Sequence, residues 1–314
     1  MRFLIGILFV VLPLLSYAAD PGSMEEADGV FRVFLNDVSS SITAIQSAGS
    51  PSGDFVNALY LALVILRLGW VVAKWAFDSV EVEEVLYTII LILVVSSMMA
   101  SYNYLTSAMH DWSTSFAGSI QKGMIGTSDP FYGPAYLNDL IQSMKVKESS
   151  IWDPAASFVG LVVLTISSQL LSIMSFFIVA WATWGYALAK LVGWMLVPLL
   201  LLPATAQWFS KWLGFFMGFL FYEIIGRTNT AMVLMLLTGF FNLPLATRPA
   251  RPIVIDGEAL SDFIGLLAMI FVSILALAST GKFAVSFGGA VDGLQGSMNG
   301  AAKKVAKYVA GKIF

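Results

Sequence analysis

The chain has 314 residues, of which 58% are apolar and only 12% charged, and its mean hydropathy is +0.82. A net charge of −3 excludes a globally basic nucleic-acid binder, and the absence of cysteine excludes disulfide frameworks and thiolate metal sites. So apolar a composition belongs to a chain threaded through a bilayer and not to a soluble domain.

Taken from the start, Arg2, the apolar run Phe3 to Leu15 and the small residues Ser16 and Ala18 read as an export signal over residues 1–18, cleaved or retained as an anchor. Residues 19–54 form an N-terminal segment rich in acids (Asp20, Glu25, Glu26, Asp28, Asp37, Asp54), with Arg32 the one cation. Within it Val30, Phe31, Phe34 and Leu35 mark one face of a short amphipathic helix. Residues 55–105 hold two spans. The first, Phe55 to about Phe77, contains Arg67 and Lys74; an acidic turn leads to the second, Val85 to about Leu105. Residues 106–154, with Trp112, Trp152 and the single histidine His110, read as an exposed periplasmic loop with short helices.

Residues 155–281 form the membrane core. No charge occurs from 154 to 189, a stretch that as a helix would be about 54 Å long. A third span runs from Ala155 to Lys190. Pro198 and Pro203 interrupt helical hydrogen bonding across 191–210, which predicts a re-entrant or interfacial hairpin. A fourth span from Lys211 to about Phe241 contains Glu223 and Arg227; a Pro-rich loop over 242–262 precedes the last span, Phe263 to Thr280. Residues 282–314 form a Gly-rich tail with five lysines against Asp292. The positive-inside rule places this tail in the cytoplasm and the acidic N-terminal segment in the periplasm, which requires an odd number of crossings. The fold class is therefore all-α: a polytopic transmembrane protein of about five spanning helices plus the hairpin, with a periplasmic loop between spans two and three.

Ionisable groups inside a membrane are costly and mark function. Arg67, Glu223 and Arg227 are accordingly the candidate conduit or gate residues; in the alternative reading Glu223 and Arg227, four apart and facing one another on a helix, neutralise each other while Arg67 and Lys74 snorkel toward headgroups. Small residues at four-residue spacing (Gly185, Ala189 and Gly193; Gly214 and Gly218) suit close helix packing in lipid. Trp208 and Trp212 beside Lys211 suit the headgroup zone. One histidine cannot build a His-based triad or a multi-histidine metal site, and no nucleotide-binding glycine loop exists. The expectation is a chain that is not an enzyme and takes no cofactor.

The stretch VGWMLVPLLLLPATAQWFSKWLGFFMGFLFYEII, residues 192–225, carries a recognisable step between two long apolar helices at Pro198, Ala204, Thr205, Trp208, Phe209, Trp212 and Leu213. It resembles the TrbL-like (VirB-six-like) polytopic inner-membrane subunit of type IV secretion and conjugal transfer systems. That resemblance implies a channel or scaffold subunit that supports the periplasmic stalk, pilus biogenesis and passage of DNA or protein. The implied partners are sister copies in a homo-oligomeric ring (five copies fit that picture), the minor pilin and pilin subunits, other inner-membrane secretion subunits, translocating single-stranded DNA and membrane lipid. The alternative functions are a small-solute transporter or permease, and a membrane immunity protein that excludes incoming transfer.

Overall fold

A computed structural model describes residues 23–47, 49–77, 82–146, 154–243, 245, 253–255 and 260–289. The expected export signal, and the tail beyond residue 289, lie outside the described residues. The fold is all-α. Its helices are α1 (Ser23–Gln46), α2 (Pro51–Phe77), α3 (Val82–Ile125), α4 (Tyr132–Ser143), α5 (Pro154–Leu196), α6 (Pro203–Phe240) and α7 (Leu260–Gly289), with a 3₁₀ turn at Val197–Leu201. Two three-residue strands, β1 (Met144–Val146) and β2 (Ile253–Ile255), pair in parallel with Met144 opposite Ile253. Five helices, namely α2, α3, α5 with its 3₁₀ extension, α6 and α7, are long and apolar enough to cross a membrane.

Local chemistry explains the helix ends. Ser50 accepts the Gly53 N–H at 3.0 Å as the N-cap of α2, with Pro51 in the first helical position and Asp54 in the first turn. α3 stops at Gly126, whose φ of +84° is open to a residue without a Cβ. Asp129 then starts the next element by accepting the Phe131 N–H at 3.1 Å. α6 ends in a Schellman motif: Asn242 turns left-handed at φ +51°, and Leu243 N–H donates to Thr238 O at 2.8 Å.

Two expected features differ. Residues 106–125 are not loop; they continue α3 for another five turns, along which Ser113, Thr114 and Gln121 bond to groups of α6. The segment expected to form a hairpin over 191–210 is the corner that joins α5 to α6. Pro198 sits in the first positions of the 3₁₀ turn, Leu202 is extended at φ −109°, ψ 129° as a residue before proline must be, and Pro203 opens α6. Pro203 has no N–H to offer Leu199 four residues earlier; the Thr205 hydroxyl donates to that carbonyl at 2.7 Å.

The described residues fall into two compact units, each drawing segments from α3, α5, α6 and α7. The first takes those of Gly118–Ala180 and Gly226–Ala278 with those before Val38. Its interior includes Phe131 against Phe176, fully buried Tyr136, Leu137 and Leu140 of α4, and Leu234 and Leu237 of α6. The second takes those of Val38–Ala117 and Trp181–Ile225 with those from Ser279. Its core surrounds the α5–α6 corner: Val197, Leu201, Phe209, Trp212 and Phe216 meet Val56 of α2 and Val95 and Tyr102 of α3.

Trp212 organises that core. Its ring lies 5.0 Å from Phe209 and 5.6 Å from Phe216, and its Nε1–H donates to Ala189 O at 2.7 Å. Gly193 makes this approach possible, since a Cβ there would overlap the indole; a Cβ at Gly185 would likewise overlap the Phe219 ring. Gly218 differs, because a Cβ there would meet no atom within 4 Å. Gly193→Leu and Gly185→Leu should each destabilise the detergent-solubilised chain by about 2–3 kcal/mol, the effect of overpacking a filled site. Gly218→Ala should leave the thermal midpoint unchanged or slightly raised, since alanine favours a helix by up to about 1 kcal/mol over glycine. Thermal unfolding of the three variants in one detergent checks this.

Candidate functional site

The ionisable side chains carried inside the apolar helices define the site. Arg67, near the middle of α2, is 8% exposed; its guanidinium lies 5.8 Å from the centre of the Tyr87 ring of α3, and its Nε has no hydrogen-bond partner among the described residues. The aromatic face gives the charge partial compensation. Lys74, one helix end away, pairs with Glu84 at 3.0 Å across the α2–α3 connection, an exposed contact worth at most about 1 kcal/mol.

Glu223 of α6 sits in a polar seam against α3. Its carboxylate accepts the Thr114 hydroxyl at 3.1 Å and the Ser113 hydroxyl at 3.4 Å, while Ser113 also donates to Leu220 O at 2.9 Å. His110 Nδ1 lies 3.6 Å from the same carboxylate, an electrostatic contact beyond hydrogen-bond length. The imidazole stacks on Tyr186 of α5 with centroids 3.8 Å apart. Lys190, where the sequence ends the third span, is buried, with Nζ donating to Ser107 at 3.0 Å. Ser107, His110 and Thr114 follow one another at three and four residues, so they share one face of α3. His110 is therefore a helical residue in a polar cluster and not the loop histidine its neighbourhood suggested. The three- and four-residue spacing of Ser107, His110 and Thr114 was the available signal; it is visible only once the helix is known to continue.

Arg227 lies one turn along α6 from Glu223, where the sequence expects the two to face each other, and each has partners of its own. Arg227, 2% exposed, donates from Nε to Gln121 Oε1 at 2.8 Å and from Nη2 to Ser128 O. Gly118 leaves room for it, a Cβ there coming within 3.3 Å of Nη2. Gln121 in turn donates to Asp129 O. Arg227 thus ties the end of α3 and the following link to α6 through side-chain and carbonyl acceptors. In α4, burial lifts the Tyr136 phenol above its ordinary range, with Tyr132 adding to the shift, so it stays neutral at physiological pH.

The remaining sequence-selected residues lie at the corner. Pro198, Phe209 and Trp212 are buried in its core, Leu213 packs against it, Thr205 caps Leu199, and Ala204 and Trp208 are exposed. Ala189 is fully buried beneath Trp212; Gly214 and Gly218 line an open groove on α6. No group of three or more His, Cys, Asp or Glu able to hold a metal occurs among the described residues. The arrangement is suited to holding helices in register through buried polar contacts and to offering charge within long apolar helices.

The family described as TrbL/VirB6 plasmid conjugal transfer protein matches residues 58–280, well over half of the chain. No curated protein matches the chain. Removal of the Arg227 guanidinium should leave Gln121 and Ser128 O unanswered: Arg227→Leu is expected to cost about 2–3 kcal/mol, as loss of a buried charged hydrogen-bond donor does. It should also render the 126–131 link sensitive to protease in purified protein, whereas Arg227→Lys should retain part of the protection.

Proposed function

The chain belongs to the TrbL/VirB6 plasmid conjugal transfer protein family, and from that premise we propose that it is an inner-membrane channel and scaffold subunit of a type IV secretion (conjugation) system. The family makes it a component of a conjugal transfer complex, and its five long apolar helices make it a multi-pass membrane protein. The single observation that carries the finer reading is Arg67: a buried guanidinium in the middle of an apolar helix, with one nitrogen lacking a hydrogen-bond partner among the described residues. A bilayer charges about 2.5–3.5 kcal/mol for such a group, and a structure retains it where it faces water, a translocating polymer or a sister subunit.

In this reading Arg67 and Glu223 line or gate a conduit while Arg227 braces α6 against α3, and sister copies assemble as a ring, for which five is the working number. The outer surface supports such assembly. Only 17% of the apolar window of α2 is buried within the chain against 50% for α6, and Leu61, Ile65 and Trp70 of α2 are exposed. Lipid and neighbouring subunits cover that face. The ring seats the minor pilin, supports the periplasmic stalk and pilus biogenesis, and passes DNA or protein. The N-terminus lies in the periplasm after signal cleavage and the basic tail in the cytoplasm, and the subunit itself catalyses nothing and holds no cofactor.

The test separates transport from assembly. In donor cells lacking the wild-type copy, Arg67→Ala is expected to lower conjugation frequency by about tenfold or more, a change equivalent to roughly 1.4 kcal/mol on a limiting step, with membrane abundance and complex recovery unchanged. Wild-type transfer frequency would remove Arg67 from the conduit, and loss of the protein itself would reassign it to folding.

A further inference from the structure

An open groove with a volume of about 400 Å³ runs along α6 between α5 and α7. α6 supplies Lys211, Gly214, Phe215, Gly218, Phe219 and Tyr222 to it, all on one helical face by their three- and four-residue spacing. Trp181 of α5 forms one wall, its ring 6.5 Å from that of Phe219, and Gly281 and Val285 of α7 form the other. The hollow exists because glycine stands where a side chain would fill it. At Gly218 an added Cβ meets nothing within 4 Å, and at Gly281 it meets only the edge of the Tyr222 ring at 3.8 Å. This is the reverse of Gly185 and Gly193, whose missing side chains are replaced by rings of α6.

The lining has two chemistries. Most of it is aromatic or aliphatic, and one end carries the exposed ammonium of Lys211, which has no ion pair among the described residues. Trp208, exposed one turn before Lys211, marks the headgroup depth at that end. A soluble anion would answer Lys211 and leave the slot bare; a neutral apolar ligand would fill the slot and leave the ammonium unanswered. A helix of another copy, about 10 Å across, would exhaust this volume in roughly one turn. An amphiphile with a negative head and a thin hydrocarbon tail satisfies both parts, and basic pockets between membrane helices recognise such headgroups.

We propose that this groove binds an anionic phospholipid, with an acyl chain along Gly214, Gly218 and Gly281 and the phosphate at Lys211. The bound lipid would then act as a structural filler between α6 and α7. The inference rests on the chain being embedded in a bilayer and not on its part in transfer, so failure of one leaves the other standing.

Native mass spectrometry of the purified full-length chain, titrated with dioleoylphosphatidylglycerol or dioleoylphosphatidylcholine, tests it. One phosphatidylglycerol should be retained with an affinity about fivefold above phosphatidylcholine, the factor that one cation near a headgroup supplies. Lys211→Gln should bring the two lipids level. Gly218→Leu should abolish the tight adduct of both, and Val285→Trp, which fills the groove from α7, serves should the first variant fail to fold. Equal binding of the two lipids to the wild-type chain, or an adduct that survives both groove-filling variants, overturns the proposal. An oligomer that falls apart on Gly218→Leu with lipid binding unaltered also overturns it, because a second copy of the chain would then be the occupant.

Discussion

A backbone carbonyl taken out of water must find a donor within the protein, and the α5–α6 corner puts that rule to the test. Two prolines withdraw N–H groups, and the structure answers with side chains. Thr205 donates to Leu199 O, the carbonyl that Pro203 leaves unanswered; earlier on α5, at carbonyls the prolines do not touch, Trp212 donates to Ala189 O and Tyr102 of α3 to Lys190 O, each at 2.7 Å, with Gln46 Nε2 of α1 at 3.5 Å from the latter oxygen. Two neighbouring carbonyls near the end of α5 thereby gather residues from α1, α3 and α6. The absent side chain of Gly193 lets the indole reach its acceptor, and the aromatic run Phe209, Trp212, Phe216 packs outward from that bond. The residues that carry the family resemblance are largely the residues that build this corner, so the signature has a physical reading: it encodes a turn whose carbonyl is answered by its own side chains.

Much of this could be read from the chain alone, because the bilayer imposes a one-dimensional constraint. Charge-free runs gave the spans, and Pro198 with Pro203 gave the break between α5 and α6. The length of α3 was less legible. Hydropathy falls after Leu105, but helix continuation depends on where polar side chains point, and Ser113, Thr114 and Gln121 point at α6. Glu223 and Arg227 illustrate the same limit. Spacing of four says that two side chains share a face, whereas partners more than ninety residues away in sequence, such as Thr114 and Ser128, are set by tertiary packing. Lys190 ends the third span in the sequence, which says nothing of its partners; the half-buried Ser107 hydroxyl and the Tyr186 ring receive it. The glycine stripes looked alike in sequence. Only the neighbours distinguish Gly193, filled by an indole, from Gly218, which opens on a groove.

The polar contacts at membrane depth divide into two kinds. Those of Arg227 are directed and numerous, and they act as struts between α3 and α6. Those of Arg67 and His110 are longer: the guanidinium lies 5.8 Å from the centre of the Tyr87 ring, and Nδ1 lies 3.6 Å from the Glu223 carboxylate.

The account depends on α3 and α5 each crossing the bilayer, so that the link after α3 and the corner after α5 lie on opposite sides. Since the chain has no cysteine, a single one can be placed at either position without background. With a membrane-impermeant maleimide applied to spheroplasts, Asp129→Cys is predicted to be labelled in intact cells and Ala204→Cys only after lysis. Labelling of both from the same side would contradict the five-crossing arrangement.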